Sequence, residues 1–431
     1  MRWVRSLEPR GVLLLGFALA IVYAFPGYMS TDSVAQLIEA RSGLFSDGHP
    51  PLMAAEWWVL DKIVPGPLPM LVLQLVVFEA GLYTLLRRAL LPKPAAWTTI
   101  AILLFPPVLT PLGVIWKDSQ MAAFLVAGTA ALLSPRLRVR LGGLGLLMAA
   151  CAVRHNGVAA VLPLIAILFE WKPGMRPLKR LGIVAATIAV TGAAAFGVTR
   201  ILTTSHVKLT PVFSDVACTL AFSRDMTDAE ALTHLHSSPL ASPHDIQSHA
   251  RRLCELQGAW RMTQGDDVFF TYPANDADWA ALSTAWKDLV LGDPLAYLAY
   301  HCHDFGRILE VHDDDVRAPV YNIFLEDPHQ MPGTLHDASY SGIQERIGNV
   351  LYWAADNTPL FRPYLYAAIA VLLLLLCCRD RVTFALLASG LLYELSFFPV
   401  PAEPDYRYSH WMITTTVISA VLLFIQRRRR G

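Results

Sequence analysis

The chain has 431 residues, 54% of them hydrophobic and 16% charged, with a mean hydropathy of +0.42. Those values exclude a soluble protein of this size, because apolar blocks long enough to cross a bilayer, about 20 residues as a helix, recur along it. The formal charge of zero hides a separation: Lys and Arg collect in alternate short loops and acids in 203–360, so no basic groove is left over for nucleic acid.

Ten transmembrane helices are expected, at about 11–28, 68–88, 95–115, 118–134, 140–153, 155–171, 180–202, 361–378, 382–399 and 409–426. The block 140–171 is too long for one helix and short for two. Arg154-His155-Asn156 lies at its middle, so two short helices meeting at a polar hairpin fit best. The first span has the charge order of a signal peptide but no convincing small-residue cleavage site, and it reads as a retained anchor. Basic residues before the first span (Arg2, Arg5, Arg10), after the second (Arg87, Arg88, Lys93), after the fourth (Arg136, Arg138, Arg140), after the sixth (Lys172, Arg176, Lys179, Arg180), after the eighth (Arg379, Arg381) and at the end (Arg427 to Arg430) put both termini in the cytoplasm.

The chain divides into a membrane unit over 1–202, an exterior segment over 203–360 and a closing membrane unit over 361–431. The first exterior loop, 29–67, is expected to carry its own helices. Ser33 and Gln36 have capping-box spacing, Gly43 is placed to end that helix, and the apolar run 52–60 has paired tryptophans suited to the membrane interface. The exterior segment reads as mainly helical. Residues 234–260 and a helix opened by Asp293-Pro294 are helical, 311–340 is a loop, and Trp260, Trp279, Trp286 and Trp353 are core candidates. Three cysteines, Cys218, Cys254 and Cys302, fall there; a Cys218–Cys254 bridge is one pairing, but spacing cannot choose among them. Cys151, Cys377 and Cys378 lie in or beside spans, where a thiol is a small hydrophobe.

The candidate chemistry lies between spans on one membrane face. Asp32 sits just outside the first span, in the loop that also holds His49; it is a helix cap or a catalytic base. Trp116-Lys117-Asp118 joins the third and fourth spans, and reads either as an interfacial anchor with a capping Asp or as a second acid beside a cation. Arg154 between two short helices is costly unless it meets a partner or a wet cavity, so it binds a phosphate or pairs with an acid, and Asn156 accompanies it. In the last exterior loop, Glu403 to Tyr408, Arg407 offers a fork for phosphate, and Tyr406 and Tyr408 offer rings for a sugar or an aromatic belt. Glu79 and Glu394 within spans read as structural acids. His301-Cys302-His303-Asp304 and His312 to Asp315 are metal-like only in composition and read as a solvated acidic face. Gly142-Gly143-Leu144-Gly145 suits helix packing better than a dinucleotide. No residue is assigned to a metal, and no Walker motif, GxSxG or HExxH is present.

On Asp32 with Ser33 and Gln36, the His49-Pro50 element, Lys117-Asp118, Arg154 with Asn156, and Tyr406-Arg407-Tyr408, the chain resembles integral-membrane glycosyltransferases of the GT-C superfamily, in particular a poorly characterised bacterial branch. The resemblance implies an all-α polytopic fold with a mainly helical periplasmic domain in the bacterial inner membrane. It implies transfer of a sugar, with inversion, from a polyprenyl-phosphate-linked donor in the lipid bilayer to a lipid, glycan or protein acceptor at the outer face. Asp32, with Asp118 as its rival, would be the catalytic base; His49, Lys117, Arg154, Asn156, Tyr406 and Arg407 would bind substrate. No organic cofactor is expected, and a divalent cation stays open because the early Asp lacks the paired acidic arrangement of some members. A transporter or flippase of lipid-linked sugars, or a glycan ligase or polymerase, is the alternative, although a transporter would more often show inverted repeats.

Overall fold

The computed structural model describes residues 7–172, 174–205, 211–223, 226–242, 244–256, 268–311, 319–321, 341–376, 380–400 and 405–430. Among these residues the fold is all helical, with isolated bridges but no strand. Trp260, Cys377, Cys378, His312 to Asp315, Glu403, Pro404 and most of the loop expected over 311–340 lie outside them. Two compact units emerge, residues 1–207, 318–394 and 407–431 in the first and 208–317 with 395–406 in the second.

The first unit opens with α1 (Pro9–Ala24), α2 (Thr31–Ser42), α3 (Leu52–Asp61) and α4 (Leu68–Leu86). It continues with α5 (Pro92–Leu103), α6 (Pro106–Leu112), α7 (Lys117–Leu132), α8 (Leu137–Val153), α9 (Gly157–Leu168) and α10 (Pro177–Leu202). Helix α4, helix α10 and the segment Tyr406–Arg429 are long and apolar enough to cross a membrane, and α5 with α6 makes a further span-length pair bent by 71°. These make the chain a membrane protein. The remaining segments expected to span hold helices of 12 to 17 residues.

Helix α7 is buried on nearly every side and forms the centre of this unit. Close helix approach explains it: a Cβ on Gly81 of α4 would lie 2.6 Å from the Ala127 backbone, and one on Gly143 of α8 would lie 3.0 Å from the Gly128 carbonyl. Small residues let backbones meet where apolar area alone gives no preference inside lipid. The expected hairpin is present, since α8 ends at Val153, Arg154 is extended, and α9 starts at Gly157.

The first exterior loop differs from expectation in its cap. Ser30, not Ser33, caps α2: the Ser33 N–H donates to Ser30 Oγ at 3.3 Å and the Ser30 N–H to Ser33 Oγ at 3.1 Å. A serine at the third helical position closes the box as Glu or Gln would. Gly43 ends the helix in the left-handed region at φ 70°, as its position predicts. In α3 the two tryptophans separate: Trp57 is buried and donates to the Gly66 carbonyl, while Trp58 faces out under Lys62.

The second unit contains α11 (Val212–Phe222), α12 (Asp228–His234), α13 (Ile246–Leu256), α14 (Asp276–Gly292) and α15 (Pro294–Ile308). Phe213, Val216, Leu220, Phe269, Phe270, Leu282 and Leu289 form its core, with Trp279 and Trp286 packed against it. A Cys218–Cys254 disulfide joins α11 to α13, and Cys302 is free and exposed. Asp293 caps α15 by accepting from the Ala296 N–H at 3.0 Å. Of the residues expected to be helical over 234–260, Ile246–Leu256 are, while Pro239 falls in the stretch between α12 and α13.

Residues 318–394 belong with the first unit. There α16 (Gly342–Asn357) is held to α1 by Gln344, which donates to the Phe25 carbonyl at 2.8 Å. Trp353, expected in the exterior core, lies instead on the exposed face of α16. Helices α17 (Pro363–Leu376), α18 (Arg381–Leu395) and α19 (His410–Arg430) close the chain, the last entered through a tight turn at Tyr406–Ser409.

Candidate functional site

Two loops of the first unit are stitched into one piece. Tyr28 pairs with Val114 as a short parallel bridge: the Tyr28 N–H donates to the Gly113 carbonyl at 3.1 Å and the Ile115 N–H to the Tyr28 carbonyl at 2.9 Å. Ser33 Oγ then donates to the Ile115 carbonyl at 2.7 Å, and Trp116 Nε1 to Ser30 Oγ at 2.7 Å. This brings the starts of α2 and α7 together, with Asp32 in the first turn of one and Lys117 and Asp118 in the first turn of the other.

Neither aspartate caps its helix. Ser30 performs that role for α2, and α7 has no side-chain cap. Asp32 instead meets three nitrogen groups: Arg407 Nη1 at 2.8 Å, Lys117 Nζ at 4.0 Å and His49 Nε2 at 3.8 Å. Burial would push its carboxyl up, but Arg407, Lys117 and His49 override that and hold it well below the usual carboxylate range. Burial and the neighbouring Lys117 ammonium push His49 down to about 4, against the pull of Asp32. The imidazole is therefore neutral at pH 7, and its contact with Asp32 is not an ion pair. Lys117 Nζ donates to His49 Nδ1 at 2.5 Å, which leaves the ring proton on Nε2, towards Asp32.

Asp118 behaves differently. It is 1% exposed, one oxygen accepting from Arg154 Nη1 at 2.9 Å and the other from the Tyr393 hydroxyl at 3.1 Å. Such a pair is costly to break, because either partner alone would be a buried charge. The sequence reading offered Arg154 a phosphate or an acidic side chain; the acid is Asp118. Arg154 stacks on Tyr408 at 4.7 Å, and Arg407 lies near the same ring at 5.3 Å and near Trp116 at 5.0 Å. One aromatic residue thus links both guanidiniums.

Asp32, His49, Lys117, Asp118, Arg154 and Arg407 are therefore joined through direct contacts and shared rings. Tyr406 begins the turn that carries Arg407 and is buried, but Tyr408 rather than Tyr406 stacks on the arginines. Asn156 stands at the N-cap of α9, half-buried, and its side chain caps no helix N–H. Asp32 and His49 side chains are about a quarter exposed, at 27% and 28%, so a ligand can reach them; Asp118 cannot be reached.

Tyr393, the role of Trp116 and the burial of Glu56 are not legible in the sequence. Tyr393 lies inside an apolar span with nothing to distinguish it from a membrane-anchoring tyrosine. Trp116 has the position of an interfacial anchor, yet it fastens α2 through Ser30 and lies under Arg407. Glu56 of α3 accepts from Gln120 Nε2, and burial pushes its carboxyl up to about 7 against that hydrogen bond; an acid inside the apolar run 52–60 was the available signal. Glu394 accepts from Ser409 Oγ at 2.7 Å, in keeping with a structural acid.

The ligand set does not suit a divalent cation at Asp32. One carboxylate and one imidazole are offered there, and the Lys117 and Arg407 charges would repel a metal ion. Among the described residues no group of three or more His, Cys, Asp or Glu is arranged to hold one.

No family profile matches the chain, and no curated protein matches it. Among solved structures it is similar to the oligosaccharyltransferase of Archaeoglobus fulgidus in its apo form, with 12% identity and a TM-score of 0.40 over 100% of this chain and 52% of that one. It is also similar to the same enzyme tethered by a disulfide to an acceptor peptide containing the NVT sequon, with 13% identity and a TM-score of 0.37 over 100% of this chain and 51% of that one. The chain spans about half the length of these structures. At that level of likeness the functional reading rests on the geometry of the site.

Proposed function

We propose that the protein is a membrane glycosyltransferase of GT-C type that spans the bacterial inner membrane about ten times. It moves a sugar from a polyprenyl-phosphate-linked donor to a lipid, glycan or protein acceptor at the outer face, with inversion. The observation that carries this reading is the Asp32–Arg407 contact within a partly exposed cationic cluster. A proton acceptor and phosphate-binding groups occupy one place, at the ends of apolar helices.

The donor phosphate and the Asp32 carboxylate are rival oxyanions for the Arg407 fork. When phosphate takes Arg407 and Lys117, Asp32 loses the cations that suppress its basicity. The acceptor hydroxyl oxygen then attacks the anomeric carbon from the opposite face and forms the new glycosidic bond. The bond from that carbon to the phosphate oxygen breaks, its electron pair staying on the lipid phosphate, and the hydroxyl proton passes to Asp32. Arg407, Lys117 and Arg154 offset the growing phosphate charge. Asp118 is a positioning residue: it aims Arg154 and takes no proton itself.

Purified protein in nanodiscs, supplied with synthetic polyprenyl-phosphate sugars and a membrane-derived acceptor fraction, should release polyprenyl phosphate in step with acceptor labelling. Comparing lipid-linked and surface glycans of cells with and without the protein identifies the sugar class. An unchanged glycan profile together with no turnover of any donor would sink the reading.

A further inference from the structure

The end of α8 away from Arg154 carries a second feature. Between α8 and α10 lies a cavity of about 530 Å³, walled by Leu141, Leu144, Met148, Phe169, Ile183 and Val190 among others. Its lining is almost wholly apolar, and the Thr187 hydroxyl on its wall donates to its own helix at the Ile183 carbonyl. Gly145 also lines it, and a Cβ added there would meet nothing within 4 Å. Of the whole of α10 only Val184, Thr191 and Ala195 are buried, so this helix leaves an apolar gap against its neighbour.

A second, polar cavity of about 240 Å³ shares Phe169, Trp171 and Ile183 with the first and adds Glu170, Lys172 and Arg180. Arg140, buried, donates to the carbonyls of Ser134, Pro135 and Trp171, the last of these lining the cavity. Glu170 is already engaged by Arg381 at 2.9 Å, with Arg180 at 4.0 Å. Arg180 and Arg381 thus share Glu170, and with Lys172 beside them in the lining the mouth of the groove is positive.

We propose that this double cavity binds an anionic phospholipid, one acyl chain filling the groove and the phosphate sitting at Lys172 and Arg180. A gap without polar partners does not hold water, whereas hydrocarbon fits it, and a basic mouth at a helix end draws anionic headgroups. The site is separate from the Asp32 cluster, because Arg140 and Arg154 stand about 20 Å apart along α8 at the rise of an α-helix. Its occupant is a lipid that fastens α10 to the bundle, not the sugar donor.

Native mass spectrometry of the full-length protein, titrated with phosphatidylglycerol and phosphatidylcholine of equal chain length, tests this. One phosphatidylglycerol should bind several-fold more tightly than phosphatidylcholine. Gly145→Phe, which fills the groove, should abolish that binding. Lys172→Gln, at an exposed position that leaves folding intact, should weaken it about fivefold, as expected for one basic residue at a membrane surface. Equal binding of the two lipids, or unchanged binding in Lys172→Gln, would overturn the proposal. So would one-for-one displacement by polyprenyl phosphate, which would give the groove to the donor carrier.

Discussion

Asp32 and Arg407 come from opposite ends of the chain and meet at 2.8 Å. The contact joins the helix after the first span to the turn before the last, so the site exists only once the first membrane unit has closed on the final helix. It also makes the resting carboxylate a poor base, its proton affinity suppressed by the cations around it. Reaction therefore begins with an exchange of partners.

Replacing Asp32 with Asn tests the base. Ser30 supplies the cap, so α2 should keep its structure. Transfer should fall by about 10²–10⁴-fold, the usual worth of general-base catalysis, while donor binding measured by equilibrium dialysis holds or tightens as Arg407 is released. Asp118→Asn is the control. If it stops transfer in a fully folded protein while Asp32→Asn runs at the wild-type rate, the two roles must be swapped.

The buried Asp118–Arg154 pair makes a different forecast. Arg154→Ala leaves Asp118 charged and enclosed, so folded protein should be lost by about 3–5 kcal/mol. Adding Asp118→Leu should restore much of the melting temperature in detergent without restoring transfer. A stable Arg154→Ala single variant would show that Asp118 does not depend on it.

Glu56 gives the pH dependence. Its folded carboxyl is raised to about 7, above the ordinary glutamate value, so the folded chain holds a proton that the unfolded chain releases. The linked stability is fully present below about pH 4.5 and is lost as pH rises through 7. His49, held neutral by the fold, acts in the opposite sense between its folded value of about 4 and the ordinary histidine value. The Glu56 share is therefore read as a difference: the melting temperature of the wild type relative to Glu56→Gln should fall as pH rises from 5 to 8. A difference that does not change with pH would remove Glu56 from the account.

Placement of the second unit is testable by reporter fusions. A fusion near residue 280 should report the exterior, and one at the C terminus the cytoplasm. The Cys218–Cys254 link closes a loop with a separation of 36 residues, worth about 4 kcal/mol by chain entropy. Cys218→Ala with Cys254→Ala should therefore lower the melting transition of this unit. A cytoplasmic signal at 280 would invert the whole membrane assignment.

Much of the site was legible because polar residues are expensive beside a membrane. Asp32, Lys117, Arg154 and Arg407 could be found from their positions between apolar helices. Their partners could not: Lys117 is local in sequence to Asp118, yet it turns to His49 and Asp32, while Asp118 takes Arg154. Tyr393 was hidden because an apolar helix explains a tyrosine without any bond to it. The helical stretch within 234–260 begins only at Ile246, because apolar spacing alone does not register the proline at 239. Trp353 failed for a tertiary one, since its helix docks on α1 and leaves the indole outside.

The pairing of Tyr28 with Val114 has a mechanical consequence. Two backbone hydrogen bonds, with the Ser33 and Trp116 side chains across the same seam, make Asp32 and Lys117 parts of one rigid plate. Neither can retreat from the other to admit a ligand. The turn that carries Arg407 lies outside that seam. Entry is thus governed by how readily one arginine lets go of one aspartate, and a bound phosphate is what rewards it for doing so.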